Sequence, residues 1–223
     1  MSTEPTVRPA GGPEEDPSRG RSPWVHLGAS VGVGLLVGFL TSFAQGFLPD
    51  VLHPMANSAG SWSLVAFLLA LRCPRRGFAV AVGVLSLFAM VAGYDAASVL
   101  RGFAVSLGSS LFWIVAAVAV GPFLGWGGHE LGVRSRIAPL AVGAMSGVLV
   151  GEGVYGLTVI AATTPAAYWT GSVTVGLLFL LLAIVRAFPR PVPALVAVGT
   201  TALVSLAFNA VYTADLIQFF PLF

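Results

Sequence analysis

The chain has 223 residues, of which 57% are hydrophobic and only 9% charged, and its mean hydropathy is +0.90. A soluble domain of this length has too little interior to hide so much apolar surface, so lipid must take up the rest. The formal net charge of +2 rests on arginine without any lysine, in short loops beside apolar runs, which argues for a membrane-topology signal and against nucleic acid as a partner.

Residues 1–22 combine Pro, Gly, Glu and Arg with almost no large apolar side chain. They are expected to form a disordered cytosolic tail without the apolar centre of a signal peptide. Residues 23–223 then read as a single helical membrane domain. Helix 1 is expected over Trp24 to Leu48, helix 2 over Asn57 to Leu71, helix 3 over Gly77 to Tyr94, and helix 4 over Phe103 to Trp126. Helix 5 follows over Ile137 to Ala161, helix 6 over Ala167 to Ala187 and helix 7 over Val192 to Thr213. Spanning takes roughly 20 residues, so helix 3 is marginal and helix 2 is short. Helix 2 either borrows residues from Asp50 to Ala56 or is a re-entrant segment shielded by its neighbours.

The expected fold is therefore an all-α integral membrane protein of seven transmembrane helices in the bacterial cytoplasmic membrane. With the N-terminus in the cytosol and the C-terminus outside, every arginine except Arg101 falls inside, as the positive-inside rule favours. Six helices remain an alternative if helix 2 is lost or merged. Trp24, Trp62, Tyr94, Trp126, Tyr168, Trp169 and Tyr212 fall near predicted helix ends, where an interfacial aromatic belt belongs. No internal repeat or matched pair of broken helices appears, which counts against an inverted-repeat transporter.

On this topology Asp50, Asp95, Glu152 and Asp215 lie outside or in the outer half, and only Glu130 of the acids beyond the tail lies inside. Glu152 stands about 22 Å along helix 5 from Ile137, within the hydrocarbon. An isolated carboxylate there must be neutral, paired or in contact with water, and an intramembrane acid is functional by default; the plain alternative is a glutamate that ties two helices together. Tyr155 lies near it, and Gly143, Gly147 and Gly151 form a stripe that lets another helix approach.

Asp95 is expected in an outer loop (GYDAASVLRG), where Arg101 offers an exposed ion pair or both residues border a pocket mouth. Asp215 ends helix 7, with Asn209 and Tyr212 on nearly the same face. Trp113 is expected at the depth of Glu152, and Trp62, Trp169 and Gln45 nearer the surface; each aromatic serves either as packing or as the wall of a pocket. No metal site is expected, because His26, His53 and His129 are scattered and position 133 is valine, which breaks an HExxH pattern after His129 and Glu130. No phosphate loop is present and no cofactor is expected.

The runs LTSFAQGFLPDVLHPMANSAGSWSLVAFLLAL, AMVAGYDAASVLRGFAVS and VLVGEGVYGLT resemble a bacterial inner-membrane family known only as a domain of unknown function, over most of residues 30 to 175. In architecture the chain also resembles the small membrane-bound terpene cyclases of meroterpenoid and indole-terpenoid pathways. That resemblance implies acid-catalysed cyclisation of a hydrophobic isoprenoid substrate, with Glu152 the acid and Asp95 or Asp215 the base. Tyr155, Trp113, Asn209, Tyr212, Trp62, Trp169, Gln45 and Arg101 would then line the pocket.

A second resemblance, in size and outward-facing pocket, is to the binding subunits of vitamin importers. It implies a small-molecule ligand and an energising module seated on a glycine stripe such as Gly28, Gly32, Gly34 and Gly38. A helical scaffold without a ligand is the third reading. Membrane lipid is the surrounding partner in all three.

Overall fold

The computed structural model describes residues 22–214; most of the expected tail, and Asp215, lie outside them. The described elements are α1 (Pro23–Phe47), a 3-10 helix (Asp50–Asn57), α2 (Ala59–Ala70), α3 (Arg76–Leu100), α4 (Leu107–Gly132), α5 (Ala138–Thr158), α6 (Ala166–Ala187) and α7 (Pro191–Thr213). Six of them, all but α2 and the 3-10 segment, are long and apolar enough to cross a membrane, so the chain is a multi-pass membrane protein. Prolines open α1, α5 and α7, where a missing N–H costs nothing.

The twelve residues of α2 reach about 18 Å, well short of the hydrocarbon thickness. Ser58 caps its start, its Oγ accepting the Ser61 N–H at 3.0 Å. The 3-10 helix precedes it, so the short second element expected from sequence is a half-length helix joined to an irregular segment. The buried side of α2 is wrapped by α3, α4 and α5, with Phe67, Met90, Met145 and Leu149 in one core cluster.

α3 departs from the expectation most. It runs through Tyr94 and Asp95 to Leu100, so Asp95 is helical and not in a loop. Gly93 does not end the helix; it is a contact point, where a side chain would overlap the Leu35 backbone of α1. The stop comes at Gly102, whose φ of 81° is the left-handed conformation that glycine adopts freely. α4 likewise continues past Trp126 to Gly132, which places His129 and Glu130 inside a helix.

Small residues set the helix pairings. Gly34 and Gly38 bring α1 onto α3, Gly83, Gly121 and Gly125 join α3 to α4, and Gly143, Gly147 and Gly151 seat α5 on α7. Gly28 and Gly32 meet nothing within 4 Å, so only this half of the α1 stripe stays open to a further helix.

One end of the bundle carries Arg72, Arg75, Arg76, Arg134, Arg136, Arg186 and Arg190, all exposed. Here Arg76 Nη2 lies 2.7 Å from Oε1 of Glu130, which also accepts the Trp126 indole N–H at 2.8 Å. Glu130 is 1% exposed, the least exposed acid of the described residues. The sequence reading puts it on the side of the arginines, where it stands; its cover follows from α4 extending past it. His26 bonds the Leu69 carbonyl and His129 the Cys73 carbonyl, tying α1, α2 and α4 together at this end.

Candidate functional site: an aromatic cavity beside a buried acid

Toward the other end, a cavity of about 400 Å³ lies among α2, α3, α4, α5 and α7. Aromatic rings dominate its wall: Trp62 from α2, Tyr94 from α3, Phe112 and Trp113 from α4, Phe208 and Tyr212 from α7. The Trp62 ring centroid is 6.3 Å from that of Trp113, tilted, and 6.4 Å from that of Tyr94, edge-on. Phe208 and Tyr212, one turn apart, stack at 4.3 Å with 8° between their planes. Both α4 and α7 border the cavity, yet they make no extensive contact with one another. Val120 of the lining, on α4, is 44% exposed.

The polar end of the cavity is Ser58. Its hydroxyl donates to Glu152 Oε2 at 2.7 Å, and the Gly60 N–H donates to the same oxygen at 3.3 Å. Glu152 thus sits against the first turn of a helix that begins inside the bundle, where free N–H groups and the helix dipole favour an acidic partner. Gly60 makes the approach achievable, since a Cβ there would come within 2.5 Å of Oε2. Glu152 is 6% exposed and stands behind Ser58; it does not itself line the cavity. The phenols of Tyr168 and Tyr212 lie within electrostatic range of its carboxyl group.

Of the residues singled out by sequence, Trp62, Trp113 and Tyr212 come together on the cavity wall. Tyr155 stands behind Tyr212, with ring centroids 5.4 Å apart. Asn209 donates to the Gly151 carbonyl at 3.0 Å and to the Ser205 carbonyl at 2.9 Å, joining α7 to α5. Trp169 is buried against Gly156 and donates to Thr164 Oγ1, away from the cavity.

Gln45 accepts the Tyr94 hydroxyl at 2.8 Å and borders a second, polar hollow with Asp50, His53 and Thr163. Asp95 and Arg101 do not pair. Asp95 accepts the Ser110 hydroxyl at 2.7 Å, whereas Arg101 reaches the Ser42 carbonyl and lies over the rings of Phe43 and Phe103. The second catalytic acid named from sequence, Asp215, is outside the described residues, and Asp95 does not border the cavity. No group of three or more His, Cys, Asp or Glu among the described residues could hold a metal ion.

Sequence reading missed Ser58, Phe112, Phe208 and Tyr168 as neighbours of this site. Ser58 was detectable as a capping residue directly before an apolar run, and Phe208 as the residue one turn before Tyr212. Fold and site define a class: a multi-pass helical membrane protein with an aromatic cavity at the buried start of a half-length helix. The chain belongs to DUF6518, a family of unknown function, whose pattern matches residues 17–217. No curated protein and no solved structure matches it.

Proposed function

We propose that this protein is a membrane-embedded receptor for a lipophilic small molecule, held in the aromatic cavity and reached from lipid between α4 and α7. The observation that carries the reading is the cavity itself. In a bundle whose helices are otherwise drawn together by glycine, rings from four helices surround about 400 Å³ of space. That volume and apolar lining are those of small-molecule sites. The arginine-bearing end would face the cytosol of a bacterial cytoplasmic membrane, leaving the cavity in the outer half.

The test is to purify the protein from its own membranes into nanodiscs and identify small molecules by native mass spectrometry and solvent extraction. Ala116 lines the cavity, and Ala116→Phe fills it. A molecule present on the native protein and lost from this variant supports the reading; identical extracts from the two sink it.

A second reading is acid-catalysed cyclisation of an isoprenoid substrate, favoured by the Ser58 hydroxyl standing between the cavity and Glu152. A proton passed from Glu152 through Ser58 adds to an alkene and leaves a carbocation. Ring closure moves the charge, and loss of a carbon-bound proton back to the same pair completes the turnover. Aromatic faces stabilise the cation meanwhile. Glu152→Gln then abolishes product while the protein stays folded, and an active variant ends this reading.

A further inference from the structure

The cavity is built for one sign of charge. Trp62 meets Tyr94 edge-on and Trp113 at a tilt, and ring faces carry the negative part of the aromatic quadrupole. Arginine and lysine are absent from its lining. The carboxyl group of Glu152, in contact with the lining residue Ser58, is held by neutral donors only, the Ser58 hydroxyl and backbone N–H groups, with no cationic partner within ion-pair distance among the described residues. The arginines of the described residues do not supply one: seven stand at the opposite end, and Arg101 is engaged with α1. The start of α2 offsets part of a negative charge on Glu152, but a helix terminus carries only about half an elementary charge.

We propose that the ligand is a lipophilic organic cation, a quaternary ammonium or protonated amine on an apolar body, with its charge between the Trp62, Tyr94 and Trp113 rings and Glu152 as buried counter-charge; this rests on the cavity being a ligand site. A neutral molecule of the same shape gains neither the ring quadrupoles nor the carboxylate, and an anion is repelled by both. Lipid delivers such a molecule readily, because its apolar body partitions into the bilayer and its charge is satisfied on arrival.

The test uses the full chain in nanodiscs with two probes of nearly identical shape, benzyltrimethylammonium and its neutral carbon isostere neopentylbenzene. Binding is followed by tryptophan fluorescence and corrected for partition into protein-free nanodiscs. The cation is expected to bind at least about tenfold more tightly than the isostere. Glu152→Gln is expected to lower cation affinity about tenfold or more while moving the isostere less than about threefold.

Trp113→Leu keeps an apolar wall but removes a ring face, so it lowers the preference for the cation even if Glu152→Gln fails to fold. Equal binding of the two probes, or cation binding that neither substitution weakens, overturns the inference while the cavity reading stands. Binding of neither probe, with nothing extracted from the native protein, overturns both.

Discussion

Ser58 and Glu152, 94 residues apart, share a hydrogen bond of 2.7 Å at the point where α2 begins inside the bundle. The serine caps its own helix through Ser61 while the glutamate, from α5, takes up the serine hydroxyl and the Gly60 N–H. In water those donors would be solvated at little cost; at this depth an acceptor from another helix has to replace the solvent. Glu152 therefore has a structural duty whatever it does chemically. Glu152→Ala leaves two buried donors unpartnered and is expected to cost about 1–3 kcal/mol, whereas Glu152→Gln keeps an acceptor oxygen and costs less. Equal unfolding midpoints for Glu152→Ala and the parent protein in detergent would refute this.

Gly60 supplies an independent check of the same contact. A methyl group there pushes into the space of Oε2, so Gly60→Ala is expected to destabilise by separating α2 from Glu152. Because both changes break one interaction, the double variant Gly60→Ala with Glu152→Ala should lose less than the sum of the singles, by about 1 kcal/mol. Simple additivity in a double-mutant cycle would show that the glycine matters for another reason.

The helices were legible from apolar run length, and most boundaries fall within a few residues of the expected ones. The errors share one cause. Tyr94, next to Gly93, and Trp126 end the expected helices, but Gly93 is a crossing point with α1 and Trp126 donates to a glutamate one turn further on, within the same helix. Glycine in a membrane bundle more often marks contact than termination. The depth of Glu152 followed from counting along α5; its partner did not, because Ser58 reaches it only through the packing of α2 against α5. Of the cavity, Trp62, Trp113 and Tyr212 were legible as wall residues; its full outline was not, since the wall joins side chains of five helices and the gap between them depends on where each glycine stripe lets its helices meet.

Arg76 and Glu130 form a long-range ion pair, and their burial is unequal: the Glu130 side chain is 1% exposed and that of Arg76 is 64%. Removing the arginine leaves the buried carboxylate with the Trp126 and Ser135 side chains but without its counter-charge. Arg76→Ala is expected to destabilise by about 1–3 kcal/mol. Adding Glu130→Gln should restore part of the loss, because the group left buried is then neutral. A double variant less stable than Arg76→Ala alone would contradict this account of the pair.

Gly38 and Gly32 lie on the same helix with opposite surroundings. A Cβ at Gly38 overlaps the Met90 carbonyl of α3, while one at Gly32 meets nothing within 4 Å. Gly38→Ala must push two backbones apart and is expected to cost about 1–3 kcal/mol or more, as overpacking does. Gly32→Ala should be neutral or stabilising by about 0.5–1 kcal/mol through helix propensity. Substantial loss of stability in Gly32→Ala would mean that this open face is covered by another helix in the membrane, which crosslinking of the purified protein would then identify.

The number of crossings can be settled at two exposed positions, Asp50 before α2 and Arg134 after α4. Three helices, α2, α3 and α4, separate them. Two are long enough to span, so whether the positions share a side depends on whether the 3-10 segment and the twelve residues of α2 together complete a passage. The end of α2 lies with the arginines, as the contact of His26 with the Leu69 carbonyl shows, and its start lies at the depth of Glu152. A chain that enters from the far side through the irregular segment and leaves beside the arginines crosses once. With Cys73→Ser removing the native thiol, an impermeant maleimide should therefore label Asp50→Cys in intact cells and Arg134→Cys only after permeabilisation. Labelling of both from one side would make α2 re-entrant and reduce the crossings to six; the reverse pattern would invert the orientation and place the aromatic cavity in the inner half of the membrane.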